Sequence, residues 1–347
     1  MEIIRSNKTK INDVEFKKLS FGKTFTDHMF LCEFKDGKWN SPKIIPYDNF
    51  SISPASSVFH YGQAIFEGMK AYKDKDNNVW LFRPEENYNR LNKSCERMCM
   101  PKIEKDLFFN GIKELLTIDK EWIGKGDTTM YIRPVVFATE ATIVASPSKE
   151  FSFFILCSPA SAYYFNPLSV LIEDTFIRAA KGGVGYAKAA GNYAGSFYPT
   201  SLAIEKGFDQ IVWTDSVNHK LIEEAGTMNI FFRINNKLIT PEHTDTILDG
   251  VTRKSVITVA KDSGIDIEIR DIEVSEIIQE YENGNLTEVF GAGTAAVIAP
   301  ISSFGYKEKK YILKDIDDAF GPIIKKKITD IQNNLTEDKY NWRYQVI

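Results

Sequence analysis

The stretch GGVGYAKAAGNYAGS, residues 182–196, sets one lysine, Lys188, among five glycines and four alanines, with Tyr193 five positions further on. A lysine amine titrates near pH 10.4 and is protonated, hence not nucleophilic, at neutral pH. Burial or a neighbouring cation lowers that value and frees the lone pair for attack on a carbonyl carbon. Glycine and alanine neighbours leave room for a flat ligand to approach the amine. A surface lysine in a loop is the plainer reading of the same residues, and Lys188 alone does not decide between the two.

Other segments carry complementary chemistry. Glu224 stands in LIEEAGTMNIFF, where an acid is followed by Gly226, Thr227 and Asn229 and then by an apolar strand. Such a carboxylate could keep the nitrogen of a heteroaromatic ring protonated and make the ring an electron sink; it could also be a solvated acid in a turn. In LDGVTRKS, Gly250 precedes a predicted helix, so the backbone N–H groups of Val251 and Thr252 could point at an anion. In VFGAGTAA, Gly291 and Gly293 let the backbone approach a ligand, and Thr294 adds a hydroxyl and an N–H. Neither segment fits a Walker or dinucleotide fingerprint, and glycine loops also serve simply to turn the chain. Arg90, Arg133 and Arg178 complete the set. Arg133, in the strand-like MYIRPVV, needs a carboxylate partner, from the protein or from a substrate.

The elements that must position these groups are those of an ordinary globular chain. Its 347 residues are 43% hydrophobic and 26% charged, which predicts two domains. The net charge of −4 argues against a nucleic-acid binder, and no apolar run reaches the length of a membrane span or a signal peptide core. Four cysteines in so long a chain are no disulfide framework, and Cys95 and Cys99, spaced i, i+4 on a predicted helix without a nearby histidine, do not make a metal site. A cytoplasmic enzyme without a metal is the expectation. MKAYKDKDNNVWLFRP predicts a hairpin, EENYNRLNKSCERM and LFFNGIKELLTIDKEWI helices, and TTMYIRPVVFAT and EFSFFILCSPA strands. Beyond a boundary at 158–170 follow a helix in GSFYPTSLAIEKG, strands QIVWTD and MNIFFRI, a helix VTRKSVITVAKDSG ending at Gly264, a helix near 275–283 and the strand TEVFGAG. The Lys325–Lys327 run is expected on an exposed helix face. Both halves read as α/β or α+β, and neither shows the regular alternation of a doubly wound sheet.

Taken together, FTDHMF, HYGQAIFEGMKAY, YIRPVVFATEA, IRAAKGGVGYAKAAGNYAGS, EEAGTMNIFF, ILDGVTRKS and EVFGAGTAAVIAP resemble, in order and at natural spacing, the segments of branched-chain amino acid aminotransferases. These are pyridoxal-phosphate enzymes of fold type IV. The resemblance implies a smaller N-terminal α/β domain at 1–160, an interdomain loop at 161–169, and a larger C-terminal domain at 170–347 that carries Lys188, with the active site at their interface. It implies that Lys188 forms the internal aldimine with C4′ of pyridoxal 5′-phosphate and carries protons between Cα and C4′.

The resemblance also assigns the other residues. Tyr193 would bond the cofactor's phenolate oxygen and Glu224 its ring nitrogen. Arg90, Thr294 and the N–H groups of Val251 and Thr252 would hold the phosphate, with Arg178 nearby. Thr227 and the N–H of Ala295 would face the substrate carboxylate. Phe21, Tyr61, Phe66 and Tyr131 would form an aromatic wall for the leucine, isoleucine or valine side chain, while Tyr61, Tyr131 and Arg133 receive the second carboxylate of glutamate. A homodimer is implied, with Tyr163, Ile143 and Ala145 reaching a neighbouring subunit's site. The Cys-x-x-Cys pair of some members is replaced here by AAVIAP, so thiol regulation there is not expected. A D-amino acid aminotransferase or aminodeoxychorismate lyase of the same fold is the nearest alternative, against which YIRP and EEAGTMN speak; a noncatalytic phosphate-ligand-binding protein is the non-enzyme alternative.

Overall fold

Two ten-residue strands, Thr129–Ala138 and Phe151–Ala160, pair antiparallel along their whole length and form the spine of the first half of the molecule. Their aromatic and β-branched residues suit a pleated, buried surface, and nearly all are buried. The computed structural model describes residues 1–124, 128–161 and 166–347. Within them the chain forms two compact units: Met1–Tyr163 with Ala187–Gly191 and Ile331–Ile347, and Tyr164–Tyr186 with Asn192–Asp330.

The first unit holds a ten-stranded sheet, ordered Glu2–Ile3, Lys43–Pro46, His28–Lys35, Phe151–Ala160, Thr129–Ala138, Met69–Lys73, Val79–Phe82 and Arg343–Gln345. Lys38–Trp39 pairs with His28–Lys35, and Ala64–Phe66 with Thr129–Ala138. All these pairings are antiparallel except that of Glu2–Ile3 with Lys43–Pro46. Met69–Lys73 and Val79–Phe82 make the expected hairpin. The helix Lys105–Ile118 buries Phe108, Phe109, Ile112, Leu115 and Leu116, a stripe at helical spacing, in the same core as Phe30, Phe153 and Ile155. The helix Pro84–Arg97 is different: besides Leu91 and Cys95 it buries Asn87, Arg90 and Ser94, a polar stripe spaced i, i+3, i+7. Buried polar groups need partners, and these three organise the site below. The helix ends at Arg97, so Cys99 lies outside it, exposed and at positive φ, while Cys95 is buried.

The second unit holds a nine-stranded sheet, ordered Ile222–Ala225, Gln210–Thr214, Leu168–Ile172, Val297–Tyr306, Leu286–Gly293, Met228–Ile234, Lys237–Thr240 and Ile267–Ile269, with Lys309–Ile312 beside Val297–Tyr306. Ile222–Ala225 also pairs with Met228–Ile234, so six of these strands close into a ring. The helices Val251–Asp262 and Val274–Glu282 fall where the sequence predicts them, and Lys325–Lys327 lie exposed on the helix Phe320–Gln332.

The domain expectation needs correction. The chain does not divide once near 161–169, and the first unit, not the second, takes more than half of it. The segment that carries Lys188 packs in the first unit: Ile65 bridges Ala189, and the Phe66 N–H donates to the Lys188 carbonyl at 3.1 Å. The C-terminal strand Arg343–Gln345 returns to pair with Val79–Phe82. Unpaired strand edges and buried backbone groups take partners wherever the chain brings them, regardless of sequence distance.

Candidate functional site

Each unit carries one half of the predicted residues. In the first, the Lys188 N–H donates to Ser94 Oγ at 2.9 Å, and that hydroxyl donates to the Arg90 carbonyl at 3.0 Å. The lysine backbone is thus held from both sides, while its Nζ stands 4.8 Å from the centre of the Phe66 ring. Next along the strand connection is Glu67, fully buried. Arg90 donates to it from Nε at 2.7 Å and from Nη2 at 2.9 Å, a two-pronged pair, and Asn87 Nδ2 and the Gly68 N–H add bonds of 2.8 and 3.1 Å. Burial pushes this carboxyl's pKa up, but the Arg90 guanidinium, with Lys188 beyond it, outweighs burial and holds it below the usual value. Glu67 is therefore an ionised anchor between two cations.

The aromatic wall assembles beside it. The Arg133 guanidinium lies 4.4 Å from the Phe66 ring centre and 5.3 Å from that of Tyr131, and its Nη2 donates to Tyr131 Oη at 3.0 Å. Phe21 meets Tyr131 edge to face with centroids 4.7 Å apart. A Cβ on Gly68 would come within 2.0 Å of Tyr131 Oη, which explains the glycine after Glu67. Tyr61 is exposed and donates to the Ile143 carbonyl, and Phe59, Val144 and Ala145 are exposed too. Tyr163 lies outside the described residues.

In the second unit Glu224, also buried, sits opposite Asn229 on the neighbouring strand, and Asn229 sits opposite Ala292 on the next. This row brings EEAGTMN and VFGAGTAA together at one end of the ring of strands. Glu224 Oε1 accepts from Asn229 Nδ2 at 2.9 Å and the Leu248 N–H at 3.1 Å, while Oε2 pairs with Arg178 Nε at 2.8 Å. Arg178 Nη2 also donates to the carbonyls of Gly185, at 3.0 Å, and Thr246. Gly250 stands at the start of the helix Val251–Asp262 with no side chain capping it and no acid in the first turn. A Cβ on Gly250 would lie 1.9 Å from Asn229 Oδ1. Gly250→Ala is therefore expected to push Asn229 off Glu224 and to destabilise the fold by about 1–3 kcal/mol, read as a lower melting temperature; an unchanged melting curve would show that the contact is slack. Thr227 is exposed in the turn before Met228, and Thr294 and Ala295 are half-buried in the loop after Gly293. Tyr193 is half-buried in the short helix Ala190–Ala194, where its carbonyl accepts from Ser196.

Residues 64–304 match the family model described as amino-transferase class IV. The chain is 45% identical, over 94% of its length and 93% of the relative's, to a probable branched-chain-amino-acid aminotransferase of Staphylococcus aureus (strain N315). The chain belongs to the branched-chain-amino-acid aminotransferases of class IV. To aminotransferase 2 of that name from Bacillus subtilis (strain 168) it is 44% identical over 94% of its length and 92% of the relative's. The fold is that of the branched-chain aminotransferase of Thermoproteus uzoniensis, solved with norvaline: TM-score 0.78 at 23% identity, covering 92% of this chain and 100% of that one.

Class IV aminotransferases work with pyridoxal phosphate, and the aminotransferase described here has the donors for it. A helix start with free N–H groups and no acid suits a phosphate, and a buried carboxylate held by neutral donors and one arginine suits a protonated ring nitrogen. Sequence reading missed Glu67, Asn87, Ser94, Asn229 and Glu223. The signal for two of them was present: Asn87 and Ser94 share with Arg90 the face of a helix that also carries Leu91 and Cys95. Arg90 and Arg178, expected at the cofactor, are each found paired with a buried carboxylate.

Proposed function

We propose that this aminotransferase moves the amino group of L-leucine, L-isoleucine or L-valine reversibly to 2-oxoglutarate, giving the branched 2-oxo acid and L-glutamate. The observation that carries the substrate reading is the Phe21–Phe66–Tyr131 wall with the Arg133 guanidinium packed on it. Apolar faces take an aliphatic side chain, and a guanidinium with a phenol beside it takes the second carboxylate of glutamate. Tyr61 would join Tyr131 and Arg133 in this.

When bound, pyridoxal phosphate supplies a carbonyl for the amine and a ring that withdraws electrons from the substrate Cα. Lys188 would hold it through its amine and, as a free amine, would carry the proton between the substrate Cα and the C4′ carbon of that group. The amine does this from a fixed start, because Ser94 and Phe66 hold its backbone. Glu224 keeps the ring nitrogen protonated, and Tyr193 bonds the phenolate oxygen. Arg90, Thr294 and the N–H groups of Val251 and Thr252 hold the phosphate, with Arg178 fixing Glu224. Thr227 and the Ala295 N–H orient the substrate carboxylate.

The test is Arg133→Met. Turnover of glutamate, as kcat/KM, is expected to fall about 10- to 100-fold, the worth of a charged hydrogen bond, with leucine turnover nearly unchanged. Equal losses on both substrates, or none, remove Arg133 from the recognition of glutamate. The same reading makes the protein a cytoplasmic homodimer, separate from membranes and nucleic acids. The four cysteines are free, which suits a reducing compartment. The exposed Phe59, Ile143 and Val144 suit an interface, with Ile143, Ala145 and Tyr163 reaching the neighbouring subunit. Light scattering on the purified protein tests the assembly.

A further inference from the structure

Beside Glu224 stands a second acid that the reaction as described leaves idle. Glu223 is only 7% exposed. Its Oε1 accepts from the Thr246 hydroxyl at 2.6 Å, and its Oε2 is buried without a hydrogen-bond partner among the described residues. Thr246 links the two acids: its hydroxyl serves Glu223, its carbonyl accepts from Arg178 Nη2, and Arg178 Nε pairs with Glu224. The Thr244 hydroxyl lies 2.9 Å from that of Thr246 and, because the latter donates to Glu223, acts as donor to it. One guanidinium thus pairs with Glu224 and reaches Glu223 by its charge, with Thr246 between them.

A buried carboxylate with one unmade bond is costly, and the neutral acid is the cheaper occupant. Burial pushes the Glu223 carboxyl up, to about 7, against the lowering by the Thr246 hydroxyl and Arg178; Glu224 and Asp215, the other charges that reach it, add to the rise.

We propose that Glu223 is a positioning residue for Glu224: it sheds its proton to solvent when a protonated ring nitrogen is taken up beside Glu224, and its charge decides how firmly that nitrogen is held. With Glu223 protonated, Arg178 neutralises Glu224 and the pair presents no net charge. With Glu223 ionised, a further negative charge stands beside Glu224 while the charges of Arg178 and Arg253 that reach Glu224 are unchanged, and this favours a cation. By linkage the cation in turn lowers the affinity of Glu223 for its proton. The inference rests on the reading of Glu224 as partner of the ring nitrogen.

The experiment measures binding of pyridoxamine 5′-phosphate, which forms no bond to Lys188, to the apoprotein by calorimetry from pH 6 to pH 8. Ionisations of the ligand are common to all variants and cancel in ratios of Kd. Glu223→Gln is expected to bind as wild type does at pH 6 and on the order of tenfold more weakly at pH 8, as one added charge predicts. A ratio that does not change with pH overturns the proposal. Thr246→Val, which removes the donor that favours the ionised acid, is expected to displace the rise in affinity to higher pH, and an unmoved profile likewise counts against it. Should Glu223→Gln fail to fold, that second variant decides. Glu224→Gln separates the two ideas: unchanged binding there overturns the role of Glu224 itself, whereas weakened binding there with a flat Glu223→Gln ratio overturns only the role of Glu223.

Discussion

Lys188→Ala is expected to abolish transamination, with a loss of more than about 10⁴-fold in kcat, because in the proposed function one amine is both the attachment point and the proton carrier. The substitution is clean in structural terms. The fold holds this residue through its backbone, by Ser94 Oγ on the N–H and the Phe66 N–H on the carbonyl, and alanine keeps both bonds. The side chain contributes its methylenes and a charge near the Phe66 ring and Glu67. Far-ultraviolet dichroism and the melting temperature should therefore stay close to wild type while the visible absorbance that pyridoxal phosphate gains on binding to an amine disappears. Activity within tenfold of wild type in both directions of the reaction would remove Lys188 from the chemistry. Loss of activity together with loss of fold would mean that the lysine is structural.

Glu67→Ala has the second large effect, on stability. It leaves the Arg90 guanidinium, itself buried, without the carboxylate that takes two of its donors, and the Gly68 N–H without its acceptor, while Asn87 Nδ2 keeps only the Gly68 carbonyl. Breaking a buried pair from one side costs about 3–5 kcal/mol, because an uncompensated charge remains. For a protein of this size that is on the order of 10 °C in melting temperature. The double variant Glu67→Ala, Arg90→Met should recover much of the loss, since no buried charge then lacks a partner, and the cycle of four proteins isolates the coupling. Additive losses would show that the pair is not the source. The pH dependence has a definite sign. The Glu67 carboxyl is held below its usual value in the folded state, so the unfolded chain takes up the proton first on acidification. The contribution is complete above the ordinary glutamate range and is lost as pH falls through the folded value. Wild type should lose stability in that acid window relative to Glu67→Ala.

Much of the site was legible because its chemistry is local. A lysine among glycines, an acid before Gly-Thr-Met-Asn, and a glycine before a helix each suggest a chemical role within about ten residues. The hairpin at 69–82 and the helices Pro84–Arg97 and Val251–Asp262 were legible for the same reason: turn residues and 3.6-residue spacing act over one or two turns of chain. The residues that steady the site were not legible. Glu67 meets Arg90 across 23 positions and Lys188 meets Ser94 across 94, and a single sequence carries no mark of such pairs.

The amino-acid sequence by itself determined the family, the fold class, the hairpin at 69–82 and the helices Pro84–Arg97 and Val251–Asp262. Tertiary structure alone decided that the Lys188 segment and the C-terminal strand pack with the first unit, that Arg90 and Arg178 each pair with a buried acid, and that Glu223 is left with an unpartnered oxygen beside Glu224. The physical reason is one of range. Propensity and periodicity are set by neighbours in the chain, whereas desolvation makes every buried charge and backbone group find a partner in space, and which partner it finds depends on the completed packing.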